Sequence, residues 1–194
     1  ILNLALAADA ASEKYGVDII FTCPVVDIRR VADATKHIHV FAPHMDPIPV
    51  GRGLADTLAE SLVAAGAEGV MLNHVEKPLS FDVLEATIKR AAEVGLLSIV
   101  CADSMADASK IAGLHPDIIV AEPSELIGTG VSVGPEYVAA ATECVKKVDE
   151  NILVLTAAGI SNGQDVYNTI IAGADATGSS SGVAKAADRA AMVD

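Results

Sequence analysis

Short apolar runs rich in β-branched residues alternate along this chain with longer stretches in which apolar residues recur every three or four positions. The first pattern is that of buried parallel strands, the second that of helices. In order, the spacing predicts a helix over 3–15 ended by Gly16, a strand over 17–23, a helix over 25–35 and a strand over 38–42. A loop rich in proline and glycine, 43–53, leads into a helix over 54–65 closed by Gly66, then a strand over 69–73. Ser80 opens the next helix, with Phe81, Leu84, Ile88 and Ala91 at helical spacing, and Gly95 stops it. Strands over 97–101 and 117–121 flank a short helix over 104–113. A helix over 135–148 with proline near its first turn, a strand over 152–156, a helix over 163–172, a weak strand over 174–179 and a helix over 183–193 complete the series.

That series is seven strands and eight helices, and it begins on a helix. A (β/α)8 TIM barrel needs eight parallel strands, each followed by a helix, over typically about 250 residues and in compact forms about 200. The fold expected is therefore an α/β barrel forming a single domain over 1–194, with the first strand absent from the given chain. A doubly wound open sheet is the alternative, but Cys23-Pro24-Val25-Val26-Asp27 after the first strand lacks the glycine fingerprint that fold uses. No linker or low-complexity tract marks a boundary.

Composition narrows the class. The chain is 52% hydrophobic and 3% aromatic, with Ala, Val, Ile and Leu dominating, which suits small-residue helices packed on β-branched strands. A net charge of −13 disfavours nucleic acid or an anionic membrane as partner. An anionic substrate would have to be held by local backbone dipoles. Cys23, Cys101 and Cys144 are scattered and read as buried free thiols, which points to a reducing cytoplasm. No run approaches the ~20 apolar residues of a membrane span, and the apolar start, 1–8, has no basic region ahead of it and reads as a helix instead of a signal peptide.

Chemistry concentrates at the C-terminal ends of the expected strands, where barrels of this kind carry their active sites. Glu122 ends the apolar run 117–121 and opens a loop in which Pro123 stiffens the start while Gly128 and Gly130 free the backbone. A carboxylate beside a glycine-rich loop has the makings of a base beside a hinged lid. Asn73-His74 ends the strand before it carries Val75-Glu76-Lys77-Pro78, and a ring near the start of the following helix would be held neutral by the partial positive charge there. The turns at 157–161 and 178–182 are built of Ala, Gly and Ser and lead into helices, exposing backbone N–H groups that suit phosphate.

These segments resemble the triosephosphate isomerase family, in its short archaeal form. The pattern Glu-Pro-x-x-x-Ile-Gly-Thr-Gly stands complete from Glu122 to Gly130, and Leu72-Asn73-His74-x-Glu76-Lys77 is similar to the family's histidine segment. Phe41-Ala42-Pro43-His44-Met45-Asp46, Ile99-Val100-Cys101-Ala102-Asp103, Ala158-Gly159-Ile160-Ser161 and Ser181-Gly182-Val183-Ala184-Lys185-Ala186 extend the resemblance over nearly the whole chain. It implies interconversion of dihydroxyacetone phosphate and glyceraldehyde 3-phosphate, a step of glycolysis and gluconeogenesis, through an enediolate. Glu122 would be the base and His74 a neutral electrophile, the pairing for which this family is itself the standard worked case. The phosphate would lie near Ile127, Gly128, Gly159, Ser180 and Ser181, with Asn73 and Glu76 in supporting positions. Neither metal nor organic cofactor is implied, and a homo-oligomer, dimer or tetramer, in the cytoplasm is.

The sequence also departs from the family. The Asn-x-Lys of the family's first strand is not matched by Asn3-Leu4-Ala5, so an intact protein would carry a further strand ahead of Ile1, or the electrophilic lysine is lost. The loop 50–54 lacks the family's threonine, 131–135 is about three residues shorter than in archaeal relatives, and Val75 and Pro78 replace a serine and a second basic residue. Two alternatives stay open: a barrel acting on another phosphorylated sugar, and a non-catalytic relative that binds phosphorylated metabolites.

Overall fold

The computed structural model describes residues 1–51, 53–123, 133–157 and 159–194. Their contacts fall into two compact units, one of Ile1–Leu72, Lys77–Ser98 and Val193–Asp194, the other of Asn73–Glu76 and Ile99–Met192.

The first unit alternates α1 (Leu2–Tyr15), β1 (Ile19–Thr22), α2 (Ile28–Ala32, entered through a 3-10 turn), β2 (Ile38–Ala42), α3 (Ala59–Ala64), β3 (Gly69–Leu72) and α4 (Phe81–Glu93), and ends with the first residues of β4 (Leu97–Ala102). Its strands pair in parallel and in chain order, Ile19 opposite Ile38 and Phe41 opposite Gly69. Helix α1 stops where Gly16 takes a left-handed conformation, φ 63°. Phe41, Ile28, Met45, Leu62, Val70 and Leu72 are buried, and each removes apolar surface at about 1.5–3 kcal/mol per side chain. Gly69 is required by close approach, because a Cβ there would overlap the Phe41 ring and lie 2.7 Å from the Leu97 carbonyl oxygen.

The helix expected over 54–65 starts late, at Ala59. Asp46 is the cause: its carboxylate accepts the Thr57 N–H at 2.7 Å, and its own N–H donates to the Thr57 carbonyl at 3.0 Å. These bonds hold 54–57 in a turn that leaves Leu54 fully exposed, so the proline- and glycine-rich loop runs five residues longer than its composition suggests.

The second unit carries the end of β4, then α5 (Met105–Ala112), β5 (Ile118–Ala121), α6 (Pro135–Lys146), β6 (Leu153–Thr156), α7 (Gly163–Ile171), β7 (Ala176–Thr177), α8 (Ser181–Ala184) and all but the last residue of α9 (Arg189–Val193). Strands β4 to β7 pair in parallel and in order, with Ala102 opposite Ala121, Ala121 opposite Thr156 and Thr156 opposite Thr177. Every residue of β5 is buried, as the β-branched run predicts. Helix α5 begins at Ser104, whose hydroxyl accepts the Asp107 N–H, and α7 at Asn162, whose side chain accepts the Asp165 N–H. Small residues bring helices close to the sheet: Ala108 and Ala112 of α5 and Ala141 of α6 are all buried.

The helix expected over 183–193 is two helices, which makes nine α-helices among the described residues where the pattern gives eight. Asp188 divides them. Its carboxylate accepts the N–H groups of Ala190 and Ala191, as an N-cap does, while the Arg189 guanidinium binds the Ala184 carbonyl that ends α8. The predicted strand over 174–179 shortens to two residues. All three cysteines are free, with Cys23 and Cys101 buried and Cys144 only half-buried.

Candidate active site

The described candidate residues, Asn73, His74, Glu76, Glu122, Gly159, Ser180 and Ser181, all belong to the second unit. Ile127 and Gly128, with the remainder of the lid motif, lie outside the described residues.

Two strand ends meet on β4. The Asn73 side-chain amide donates to the Cys101 carbonyl at 2.9 Å, and the Glu122 N–H donates to the Ala102 carbonyl at 3.1 Å, extending the β4–β5 ladder by one residue. Successive carbonyls of a strand point to opposite sides, so these two neighbouring groups fasten the histidine turn on one side and the glutamate on the other. Asn73 has φ 57°, the left-handed conformation that Asn tolerates better than other non-glycine residues. The Cys101 thiol is pushed up to about 12 by burial, with the negative charges of Glu122 and Asp103 adding to the effect. Buried and protonated, it is an unreactive thiol.

His74 is not at a helix start. Residues 75–77 form a turn and α4 begins only at Phe81, because Pro78 disfavours helical geometry for the residue before it and has no N–H to give. A backbone group of the turn meets the ring instead: the Glu76 N–H donates to His74 Nδ1 at 3.3 Å. A nitrogen accepting a hydrogen bond carries no proton, so the ring proton sits on Nε2. The Glu76 carboxylate is 87% exposed and 4.0 Å from the ring.

The two small-residue turns also meet. The Ser179 hydroxyl donates to the Ile160 carbonyl at 2.7 Å, tying the turn after β7 to the turn after β6. Gly182 sits in this junction, where a Cβ would be 2.6 Å from both the Ile160 carbonyl oxygen and the Ser179 hydroxyl. Gly159 has φ 71°, and Ser180 stands at the N-cap of α8 with no side-chain cap bond. The Asp165 carboxylate accepts the Ser161 N–H and the Ser161 hydroxyl, both at 2.9 Å, so that N–H is already engaged. A cleft of about 490 Å³ between the start of α6 and α7 is lined by Pro135, Val138, Asn168 and Ile171 and includes none of the strand-end residues. Among the described residues no cluster of His, Cys, Asp and Glu could hold a metal ion, and no helix is long and apolar enough to cross a membrane.

Residues 2–194 match the sequence profile of the triosephosphate isomerase family. The chain belongs to that family. It is 36% identical over its whole length to the triosephosphate isomerase of Saccharolobus solfataricus, of which it covers 86%. Identity is 37% to the enzyme of Methanosarcina barkeri, over 100% of this chain and 88% of the relative. The crystal structure of triosephosphate isomerase from Bartonella henselae matches with a TM-score of 0.73 at 17% identity, covering 89% of this chain and 83% of that one. That likeness shows the fold, a (β/α)8 TIM barrel, of which the described residues supply seven strands.

For a triosephosphate isomerase relative, the sequence motifs led to Glu122 and His74 as candidates but not to the groups that anchor their segments. The Cys101 and Ala102 carbonyls are backbone groups that any residue provides, so no residue type marks them. Asp165 and Ser179 escaped notice for a different reason: each acts on a neighbouring turn. Asp165 had a signal, the spacing Ser161-Asn162-x-x-Asp165 of a helix start, which reads as a cap before it reads as a turn anchor.

Proposed function

We propose that this protein, an isomerase of the triosephosphate isomerase family, interconverts dihydroxyacetone phosphate and glyceraldehyde 3-phosphate, with Glu122 and His74 as the catalytic pair. Glu122 takes a proton from the carbon beside the carbonyl and returns it to the neighbouring carbon. The Nε2–H of His74 donates to the carbonyl oxygen, stabilising the enediolate as charge moves onto that oxygen. The observation that carries the reading is the Glu76 N–H donated to His74 Nδ1, which leaves Nε2 as the nitrogen that can donate to substrate. An imidazolium would be a stronger donor, but it would lose its proton to the enediolate; a neutral donor can hydrogen-bond and shuttle without being trapped.

The substrate phosphate is assigned to backbone N–H groups near Gly159, Ser180 and Ser181, supported by the junction at Ser179 and Gly182, and to the lid residues Ile127 and Gly128. Closure of the loop after Glu122 would exclude water from the enediolate and keep it from losing phosphate. We further assign 1–194 to one barrel domain, the protein to the cytoplasm, in keeping with three free thiols, and its working form to a homo-oligomer.

The test is an assay of glyceraldehyde 3-phosphate formation by the wild-type chain, Glu122→Gln and His74→Ala, each also with an Asn-x-Lys strand added in front of Ile1. Wild-type activity that both variants lose supports the reading. Turnover of four- or five-carbon ketose phosphates with none of the triose overturns it in favour of another sugar-phosphate isomerase. Tight binding of a phosphorylated enediolate mimic without proton exchange, with or without the added strand, overturns it in favour of a non-catalytic binder.

A further inference from the structure

We propose that Asn73 is a positioning residue for His74: its side-chain amide, bonded to the Cys101 carbonyl, holds the turn that delivers the Glu76 N–H to the imidazole. The inference rests on the assignment of His74 to the reaction, but its geometry stands by itself.

The bond from Glu76 N to His74 Nδ1 is 3.3 Å, at the long end of useful N–H donors, so it survives only while the turn from 73 to 76 keeps its shape. Among the described residues nothing helical holds that turn, since α4 begins five residues after Glu76. Glu76 and Lys77 are exposed, and Val75 is 45% exposed, so packing does not hold it either. Among the described residues, what fastens it to the sheet is Asn73, bonded to the Cys101 carbonyl at 2.9 Å. Two properties of asparagine are used together. Its backbone takes the left-handed conformation at φ 57°, which turns the chain sharply out of β3, and its amide reaches across to β4. Glycine would supply the first property and not the second. Aspartate would supply the first and place acceptor against acceptor at the second.

Because β4 also holds the Glu122 N–H through the next carbonyl, Ala102, the Asn73 bond refers the histidine to the same strand end as the glutamate. Breaking it leaves both groups present and the fold intact, but frees the ring to exchange the Glu76 N–H for water and to populate both tautomers.

The experiment compares wild type with Asn73→Gly and Asn73→Asp, with Asn73→Ala as the control for backbone strain. For Asn73→Gly the expected result is kcat lower by about five- to tenfold, the range of one lost hydrogen bond, with KM within twofold and an unchanged melting temperature. Asn73→Asp should lose at least as much, and Asn73→Ala should also melt earlier. The decisive readout needs no turnover: ¹⁵N spectra of the His74 ring above pH 8 should show one Nε2-protonated tautomer in wild type and averaged shifts in Asn73→Gly, with faster exchange of the Glu76 amide. An Asn73→Gly protein with wild-type kcat and a single tautomer overturns the proposal, as does one whose kcat and stability fall together while the tautomer stays fixed. If wild type shows no isomerase activity, the functional reading fails, while the ring spectra still decide the role of Asn73.

Discussion

The end of β4 and the junction between the β6 and β7 turns hold their residues by different means. At β4, two consecutive carbonyls fasten Asn73 and Glu122, and the nearest side chain, Cys101, is 7% exposed. At the junction, contact is made by a serine hydroxyl and a glycine with no room for a Cβ, and Ser180 is exposed. The first arrangement fastens an asparagine side chain and a glutamate backbone to one strand; the second ties two turns together by a hydroxyl bond and a close backbone approach. Proton transfer between carbons demands the former, because a misplacement of about 1 Å can cost a hundredfold. Holding a phosphate through several N–H groups tolerates the latter, because the charge is spread over three oxygens.

The contrast is broken or sharpened by splitting kcat from KM. Glu122→Gln should lower kcat by about 10²–10⁴, the range for a lost general base, with KM changed less than about threefold; a proportional rise in KM would mean that Glu122 binds substrate and does not act on it. Gly182→Ala should do the reverse, raising KM by about tenfold or more with kcat within about threefold, while overpacking of about 1–3 kcal/mol lowers the melting temperature by several degrees. Unchanged KM in that variant would remove the junction from the phosphate site. Asp165→Ala frees the Ser161 N–H and hydroxyl and should raise KM by a few-fold at most, with about 1 kcal/mol of stability lost by thermal melting.

Smaller effects test the burial at β4 and a control outside both regions. Alkylation of the native protein at pH 8, followed by peptide mass analysis, should modify Cys144 first and leave Cys101, whose thiol stays protonated up to about 12. His39 is raised above its ordinary 6.5 by its hydrogen bond to Glu68, opposed by desolvation, with Asp18 adding. The protonated ring is thus favoured in the folded state, so its contribution is complete below about pH 6.5 and fades as pH rises through the raised value. The stability difference between wild type and His39→Gln should shrink from pH 6 to pH 8, and a difference that grows would contradict the pairing.

How much the sequence disclosed follows from which kind of residue carries the information. The buried strands were legible because Ile118, Ile119 and Val120 have no other plausible setting, and β2 falls on 38–42 as its pattern predicts. The late start of α3 was not, because an aspartate eleven residues upstream takes the Thr57 N–H and no local propensity announces it. The break between α8 and α9 was half-legible: Asp188 is a cap by type, hidden among alanines that continue a helical pattern. His74 and Glu122 stood out by residue type at strand ends. The helix start expected beside His74 is absent, since Pro78 delays α4 to Phe81 and a turn N–H, that of Glu76, meets the ring instead.

The two β4 anchors are carbonyl oxygens, and every amino acid brings one. Replacing Cys101 or Ala102 changes volume and polarity without deleting the acceptors, so the relative placement of glutamate and histidine is insulated from mutation at the very positions that set it. Drift along β4 is therefore filtered for packing alone. The placement of the two segments is inherited with the course of the main chain, and a designer can rebuild this strand's side chains while keeping it.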